Sequence, residues 1–241
     1  MIKIAGHRGF PQRYPENSLS GFAAAIDQGA QGLECDVQFN RWGQAFILHD
    51  ETLARTAGLD QSIADLSADQ AHAISVHEAP RFGEQHQPTP LPLLSEFAAL
   101  IRNTPNVLAF VEIKEESFAW ILRDDALRIV SEILTGLESQ VILISFDLAF
   151  IEAAKNNNQF RVGWVFEEYN KDTQNKADTL KPDFLACDYH ILEDKDLWPG
   201  TWSWFVYDVI DPALAQALEA RGIDWLETWN LPAVIQTNQT P

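Results

Sequence analysis

The chain reads as an α/β protein of the closed (β/α)8 type, a single-domain TIM barrel. Short apolar runs alternate with segments of helical periodicity along almost its whole length, which is the pattern of βα units on a parallel sheet. The alternation supplies enough units for eight strands. The length, 241 residues, matches one such barrel. An open doubly wound sheet is the other arrangement compatible with βα units, and the unit count and length favour closure.

Taken in order, the strands are predicted at residues 2–5, 33–37, 45–48, 107–113, 141–145, 161–166, 184–187, 202–206 and 223–226. Helices are predicted at 19–28, capped by Asn17 or Ser18, and at 93–103, 119–138, 148–156 and 212–220. In the last, Asp211 caps the helix, Pro212 occupies its first position and Gly222 follows its end. Nine strands must fill eight places. Only seven residues, 38 to 44, separate the second from the third, whereas a parallel crossover needs about a dozen. Either a strand end projects beyond the barrel and returns as a hairpin, or one of the nine is not a barrel strand. Residues 51–92, rich in proline and weakly periodic, are expected to hold short helices and an irregular loop near the mouth of the site. No linker or repeat divides residues 1–241.

Hydrophobic residues make up 46% of the chain, enough for a full core, and 17 Lys plus Arg stand against 35 Asp plus Glu, a net charge of −18. So acidic a surface, without a basic track, argues against a nucleic-acid partner and against anionic membranes. There is no apolar run of membrane-spanning length, so no integral membrane association is expected. The start shows no signal-peptide pattern. Cys35 and Cys187 are far apart and read as reduced, buried thiols. The cytoplasm is the expected address. Nothing in the sequence specifies an oligomeric state.

The residues with the most chemistry sit at the ends of apolar runs. Glu34 and Asp36 are two apart, so a strand places them on one face, and two like charges that close call for a cation between them. Glu112 repeats the arrangement on a later strand, with Lys114 on the same face. Three carboxylates converging from strand ends make a hard oxygen site for Mg2+ or Ca2+. Zinc is not expected, because the cysteines lack ligand spacing and the histidines look committed elsewhere. His7 follows one strand and His49 another. An imidazole exchanges protons near neutral pH, and two of them flanking a phosphoryl group divide the work: one takes the attacking proton, the other supplies one to the leaving oxygen. Arg8 either contacts a phosphate or pairs with a structural carboxylate. Asp50 either orients His49 or caps a loop, and Glu16 and Asn17 either shape the site or serve locally. Trp202 and Trp204 either wall a pocket or pack in the core. His72, His77 and His86 are expected at the surface, and His190 beside Asp188 is a lesser candidate. There is no P-loop, no GxGxxG and no GxSxG elbow.

These residues lie in stretches that resemble the glycerophosphodiester phosphodiesterase family: AGHRG at 5–9, YPEN at 14–17, GLECDV at 32–37, LHD at 48–50, VEIK at 111–114 and ISF at 144–146, in family order. GIDWLET at 222–228 looks like that family's last strand. The resemblance implies a (β/α)8 barrel that uses one divalent ion to hydrolyse glycerophosphodiesters, from free headgroup diesters to lysophospholipids, to sn-glycerol 3-phosphate and an alcohol. It implies that His7 and His49 are the general acid/base pair. Glu34, Asp36 and Glu112 match the metal ligands, and Arg8 and Lys114 the phosphate-contacting cations. By the same resemblance the glycerol 2-hydroxyl attacks phosphorus, and water opens the cyclic phosphate. Two positions depart from the pattern. Where the family has Trp-x-Val-Asn, the run WFVYD at 204–208 puts Tyr207 at the asparagine. Where it has Thr-Asp-x-Pro, TWNLP at 228–232 puts Trp229 at the aspartate. Both bear on the substrate pocket, where Trp204 and Tyr207 are the expected contacts. The competing expectations are a phosphodiesterase for another small diester and a binding protein that keeps the pocket without turnover.

Overall fold

The computed structural model describes residues 1–238. Eight parallel strands close on themselves: β1 (Lys3–Gly6), β2 (Gly32–Phe39), β4 (Leu108–Ile113), β5 (Val141–Ser145), β6 (Arg161–Val165), β7 (Phe184–Asp188), β8 (Ser203–Tyr207) and β9 (Trp225–Thr228). Closure comes from β1, which pairs with β2 on one side and β9 on the other. The ninth strand, β3 (Ala45–Ile47), runs antiparallel to the far half of β2. The second strand thus overshoots the barrel and returns as a hairpin, the first of the two arrangements the short 38–44 connection allowed.

The helices α1 (Leu19–Asp27), α5 (Leu94–Arg102), α6 (Arg123–Ile133), α7 (Leu148–Asn157), α8 (Lys171–Leu180), α9 (Pro212–Ala220) and α10 (Leu231–Asn238) lie between or after strands. Three short ones, α2 (Ala54–Ala57), α3 (Ala68–His72) and α4 (Ala79–Phe82), fall within residues 51–92. They surround a small core of their own that includes Leu53, Ile63, Val76 and Leu91. Ser18 caps α1 through Gly21 N, which frees Asn17 for another task. Asp211 caps α9 with Pro212 behind it. Helix α6 is shorter than the predicted 119–138: a 3-10 turn spans Glu115–Ala119, and the helix starts only at Arg123. Helix α8 was not anticipated, because KDTQNKADTL buries only Thr173 and Ala177 and has no apolar stripe to announce it. Between β7 and β8 the connection is a 3-10 turn and a loop, held by Arg221 Nη2 on the carbonyls of Leu192 and Lys195.

Strand alternation divides the core. Leu33, Cys35, Val37, Val111, Val206 and their like face the helices. Ala5, Phe110, Ile144, Val165, Phe184, Phe205 and Trp225 face inward. Phe110 is the centre of this plug, stacked on Phe205 at 4.2 Å and edge-on to Phe184 and Trp225 at 5.3 and 5.2 Å. Truncating such a ring to alanine costs about 3–5 kcal/mol. The plug also forms a dry floor beneath the carboxyl ends of the strands, where barrel sites are built. Among the described residues no helix is long and apolar enough to cross a membrane.

Candidate active site

On β2, residues 34, 36 and 38 take the inward positions left by the apolar outward set. The register sets Asp36 beside Glu112 and Glu34 beside Phe110. Ligand atoms of Glu34, Asp36 and Glu112 lie within 4.8 Å of one another. Burial, joined by the Asp36, Glu227 and Glu112 charges, drives the Glu34 carboxyl well above its ordinary pKa. Glu112 is raised chiefly by burial, with Asp36 adding to it and Lys114 opposing. Burial works against Asp36 too, but Arg8 and Lys114 outweigh it and hold that carboxyl below the usual range. Two of the three carboxylates are therefore short of positive charge. Glu34 Oε1 is buried without a hydrogen-bond partner. The all-oxygen donor set fits a hard divalent cation, which would supply the missing charge.

Arg8 and Lys114 are drawn into this cluster. Lys114 Nζ is 2.8 Å from Glu112 and 3.8 Å from Asp36. Arg8 Nε is 3.1 Å from Asp36, and its Nη1 is 3.2 Å from Glu16. The β1–α1 turn that delivers Arg8 is tightly constrained. A Cβ on Gly6 would run into the Gly9 carbonyl, and one on Gly9 (φ +88°) would sit 2.9 Å from the Gly21 carbonyl carbon on α1. Arg8 and Asn17 themselves hold left-handed backbone, φ 53° and 54°, at about 1–3 kcal/mol each. The compensation is local. Arg8 N donates to Glu34 at 3.0 Å, and Asn17 Nδ2 donates to Asp36 at 2.8 Å.

The two histidines are held alike. His49 Nδ1 lies 2.7 Å from Asp50 Oδ1, and its carbonyl accepts from Gln38 Nε2 at 3.0 Å. His7 Nδ1 meets Asp208 Oδ1, at the end of β8, and Trp229 Nε1 crowds the same nitrogen. Nδ1 cannot donate to one and accept from the other. The carboxylate is the stronger acceptor, so Nδ1–H donates to Asp208, and the indole N–H falls to the same carboxylate, with which it also interacts. In each case a carboxylate takes Nδ1 and directs Nε2 elsewhere. Burial disfavours the His7 imidazolium, but Glu227 and Asp208 outweigh it, and the His7 pKa is raised.

An ionic net ties the histidines to the 51–92 region. Arg55 bridges Asp50 (2.8 and 3.0 Å) and the buried Glu16 (2.5 and 2.8 Å). Glu78, left-handed at φ 52° and 2% exposed, pairs with Arg81 at 2.5 Å and lies 3.9 Å from Arg55. Burial and Glu16 push its carboxyl up to about 7.

Seven of the nine sequence-predicted residues therefore fall on this mouth: His7, Arg8, Glu34, Asp36, His49, Glu112 and Lys114. Tyr207 faces inward at the end of β8, packed against the plug, and burial with Glu112 raises its phenol pKa. Trp204 takes the opposite face of β8. It is buried in the outer layer against Phe166 and Trp198, at 6.2 and 6.1 Å between ring centres. His72 and His190 are exposed, whereas His77 and His86 are half-buried. Asp208, Glu227 and Arg55 were not foreseen. Asp208 abuts Tyr207, and Glu227 shares the strand face of Trp225 but lies one residue past the predicted 223–226 strand. A cavity of about 550 Å3 beside His7 is lined by Gln12, Arg81, Asp208, Ile210, Trp229 and Asn230. A larger groove of about 680 Å3 between α6 and α7 contains none of these residues.

The model of the glycerophosphoryl diester phosphodiesterase family matches residues 7–229. The chain is 31% identical over 120 residues to a glycerophosphodiester phosphodiesterase of Bacillus altitudinis, covering 50% of this chain and 48% of that one. It is 28% identical over 166 residues to one of Caldanaerobacter subterraneus subsp. tengcongensis, covering 68% and 66%. The matches thus span about half and just under two thirds of those relatives. Among solved structures, a putative glycerophosphoryl diester phosphodiesterase of Silicibacter pomeroyi superposes with a TM-score of 0.84 at 16% identity, covering 98% and 93% of the two chains. An Oleispira antarctica phosphodiesterase in complex with the product sn-glycerol-3-phosphate superposes with a TM-score of 0.82 at 18% identity, covering 100% and 98%. At these identities the superpositions establish the barrel.

Proposed function

The chain belongs to the glycerophosphoryl diester phosphodiesterase family, and from that premise we propose that it hydrolyses a small glycerophosphodiester to sn-glycerol 3-phosphate and an alcohol. One divalent cation, Mg2+ or Ca2+, is assigned to Glu34, Asp36 and Glu112, and the proton transfers to His7 and His49. The observation that carries the reading is convergence. Three carboxylates from two strands, two buried and Glu112 partly so, approach within 4.8 Å, beside two histidines whose Nδ1 atoms are each held by a carboxylate. The product bound by the Oleispira relative supports the glycerol phosphate half.

When bound, the cation would supply a Lewis acid for a phosphoryl oxygen. The remaining work falls to the chain. Arg8 and Lys114 offset charge that builds on the phosphoryl oxygens, in a cleft where the aromatic floor keeps the dielectric low. One histidine takes the proton of the glycerol 2-hydroxyl as that oxygen bonds to phosphorus. The other protonates the departing alcohol oxygen as its bond to phosphorus breaks. In the second half a water attacks the cyclic phosphate, and the two histidines exchange roles. Asp50 and Asp208 hold the imidazoles by Nδ1, which makes Nε2 the nitrogen for these transfers; that of His7 lies 3.6 Å from Glu227. An internal nucleophile avoids the entropic cost of capturing one from solution. The alcohol half is assigned to the cavity walled by Trp229 and Ile210, with Tyr207 at the strand end. The same reading sets the enzyme in the cytoplasm, where the unpaired, buried Cys35 and Cys187 stay reduced.

The test is product formation from a panel of glycerophosphodiesters with Mg2+, Ca2+ or chelator. Turnover that survives chelation would remove the metal assignment, and none with any divalent ion would favour a binding protein. His7→Ala and His49→Ala should each lower kcat by about 10²–10⁴-fold, and near-normal turnover in either removes that residue from the proton transfers.

A further inference from the structure

Glu227 is the residue at the mouth that the reaction leaves unused. It stands on the inward face of β9, 3% exposed, and its Oε1 is buried without a hydrogen-bond partner. Among the described residues, its recorded ion-pair neighbour is His7, whose Nε2 lies 3.6 Å from that oxygen. Neither buried cation answers it: Arg8 is engaged with Asp36 and Glu16, and Lys114 with Glu112 and Asp36. Across from it, Glu34 Oε1 is likewise buried without a hydrogen-bond donor, and the two carboxyl groups interact directly. Ligand atoms of His7, Glu34 and Glu227 lie within 4.8 Å of one another. Glu34 thus belongs to two triads, one all-oxygen and one with an imidazole nitrogen.

We infer that His7, Glu34 and Glu227 form a second divalent-cation site, selective for Zn2+ over Mg2+ or Ca2+, which shares Glu34 with the carboxylate triad and inhibits the enzyme when filled. Donor chemistry sets the selectivity. One imidazole and two carboxylates suit a borderline cation that accepts nitrogen, whereas Mg2+ and Ca2+ favour oxygen ligands. The surroundings agree: Asp208 on His7 Nδ1 forms the carboxylate–histidine pairing that orients an imidazole toward a metal and raises its basicity. The histidine that seemed committed elsewhere is thus the one a zinc ion would take. A cation on Nε2 removes the electron pair that accepts a proton, hence inhibition. That consequence rests on the role proposed above for His7, whereas the site itself does not.

The experiment uses the full chain saturated with Mg2+, titrated with Zn2+ in equilibrium dialysis with both metals quantified, alongside turnover of a glycerophosphodiester. One Zn2+ per chain should bind without loss of Mg2+, and turnover should fall in step. Glu227→Gln should weaken Zn2+ by at least about tenfold and shift the inhibition by the same factor, each measured against the variant's own Zn2+-free turnover. Independently of any variant, Zn2+ should move the His7 Nε2 resonance in 15N-histidine spectra of the wild-type protein. Equal Zn2+ affinity in the variant, mole-for-mole displacement of Mg2+, or an unmoved His7 would overturn the site. If no diester is turned over, dialysis and spectra still decide it, so its failure is distinguishable from failure of the phosphodiesterase reading.

Discussion

Replacing Arg55 by methionine keeps the aliphatic stem and removes the guanidinium that joins Glu16 to Asp50. The two arms differ in environment. Glu16 has a side chain 2% exposed, against 30% for Asp50 and 44% for Arg55. Burial opposes the Glu16 charge, and the Arg55 and Arg8 guanidinia more than offset it, holding that carboxyl below its usual range. Removing one partner of a fully buried pair costs about 3–5 kcal/mol. Here Arg8 still reaches Glu16 at 3.2 Å and Arg55 is half in solvent, so the Glu16 arm falls to about 2 kcal/mol. The Asp50 arm, exposed and screened, contributes under about 1 kcal/mol. The expected loss is about 3 kcal/mol, a fall in Tm of about 6–12 °C for a chain of this size. Urea and thermal unfolding of Arg55→Met, Glu16→Gln, Asp50→Asn and the doubles would measure it. The Arg55–Glu16 coupling should exceed the Arg55–Asp50 coupling and resist added salt. A loss below about 1 kcal/mol, or the opposite order of couplings, refutes the reasoning that burial decides the arm.

Asp208→Asn removes the acceptor that holds His7 Nδ1–H, so kcat should drop about a hundredfold while KM moves by less than about threefold; steady-state kinetics that show a KM effect alone would deny Asp208 its positioning role. Glu78, raised to about 7, binds its proton more tightly folded than unfolded. Its contribution is thus complete below the ordinary pKa of 4.5 and is lost as pH rises through about 7, by at most about 3 kcal/mol. Glu78→Gln should flatten that decline in urea midpoints measured from pH 4.5 to 8, and an unchanged slope would contradict the shift. Stripping divalent ions should lower the thermal midpoint, and Mg2+ at about 100 times its Kd should restore about 2.7 kcal/mol; Glu112→Gln should blunt that response, and an equal response in both proteins would disconnect Glu112 from the ion.

What could be read from the residues depended on how local the physics is. Glu34, Asp36 and Glu112 were visible because period-2 alternation and neighbouring apolar residues fix their face without knowledge of the partner strand. Strand ends at 145 and a helix at 212–220 were equally local, marked by apolar runs, Asp211 and Pro212. The pairing of His7 with Asp208 was not, since 201 positions separate them and only barrel closure joins their strands. Trp204 illustrates the opposite difficulty: its strand was correctly placed, but a tryptophan fits either face, and here packing with Phe166 and Trp198 takes it outward. Helix α8 escaped notice because its stability comes from two small buried side chains and an Asn170 cap, too weak a pattern to stand above loop composition.

Because the first strand is clasped between the second and the last, the molecule is finished late in synthesis. A nascent chain emerging only through Tyr207 holds His7 and the carboxylate triad but lacks β9, so β1 and β8 each present an unpaired edge. Such edges recruit other strands. They are covered when Trp225–Thr228 slides between them, and the same event brings Glu227 to His7. Ribosomal pausing or truncation inside that final strand would thus yield an open sheet that already carries the carboxylate triad, exposed to aggregation. Docking the last strand completes the centre and seals the barrel in one step.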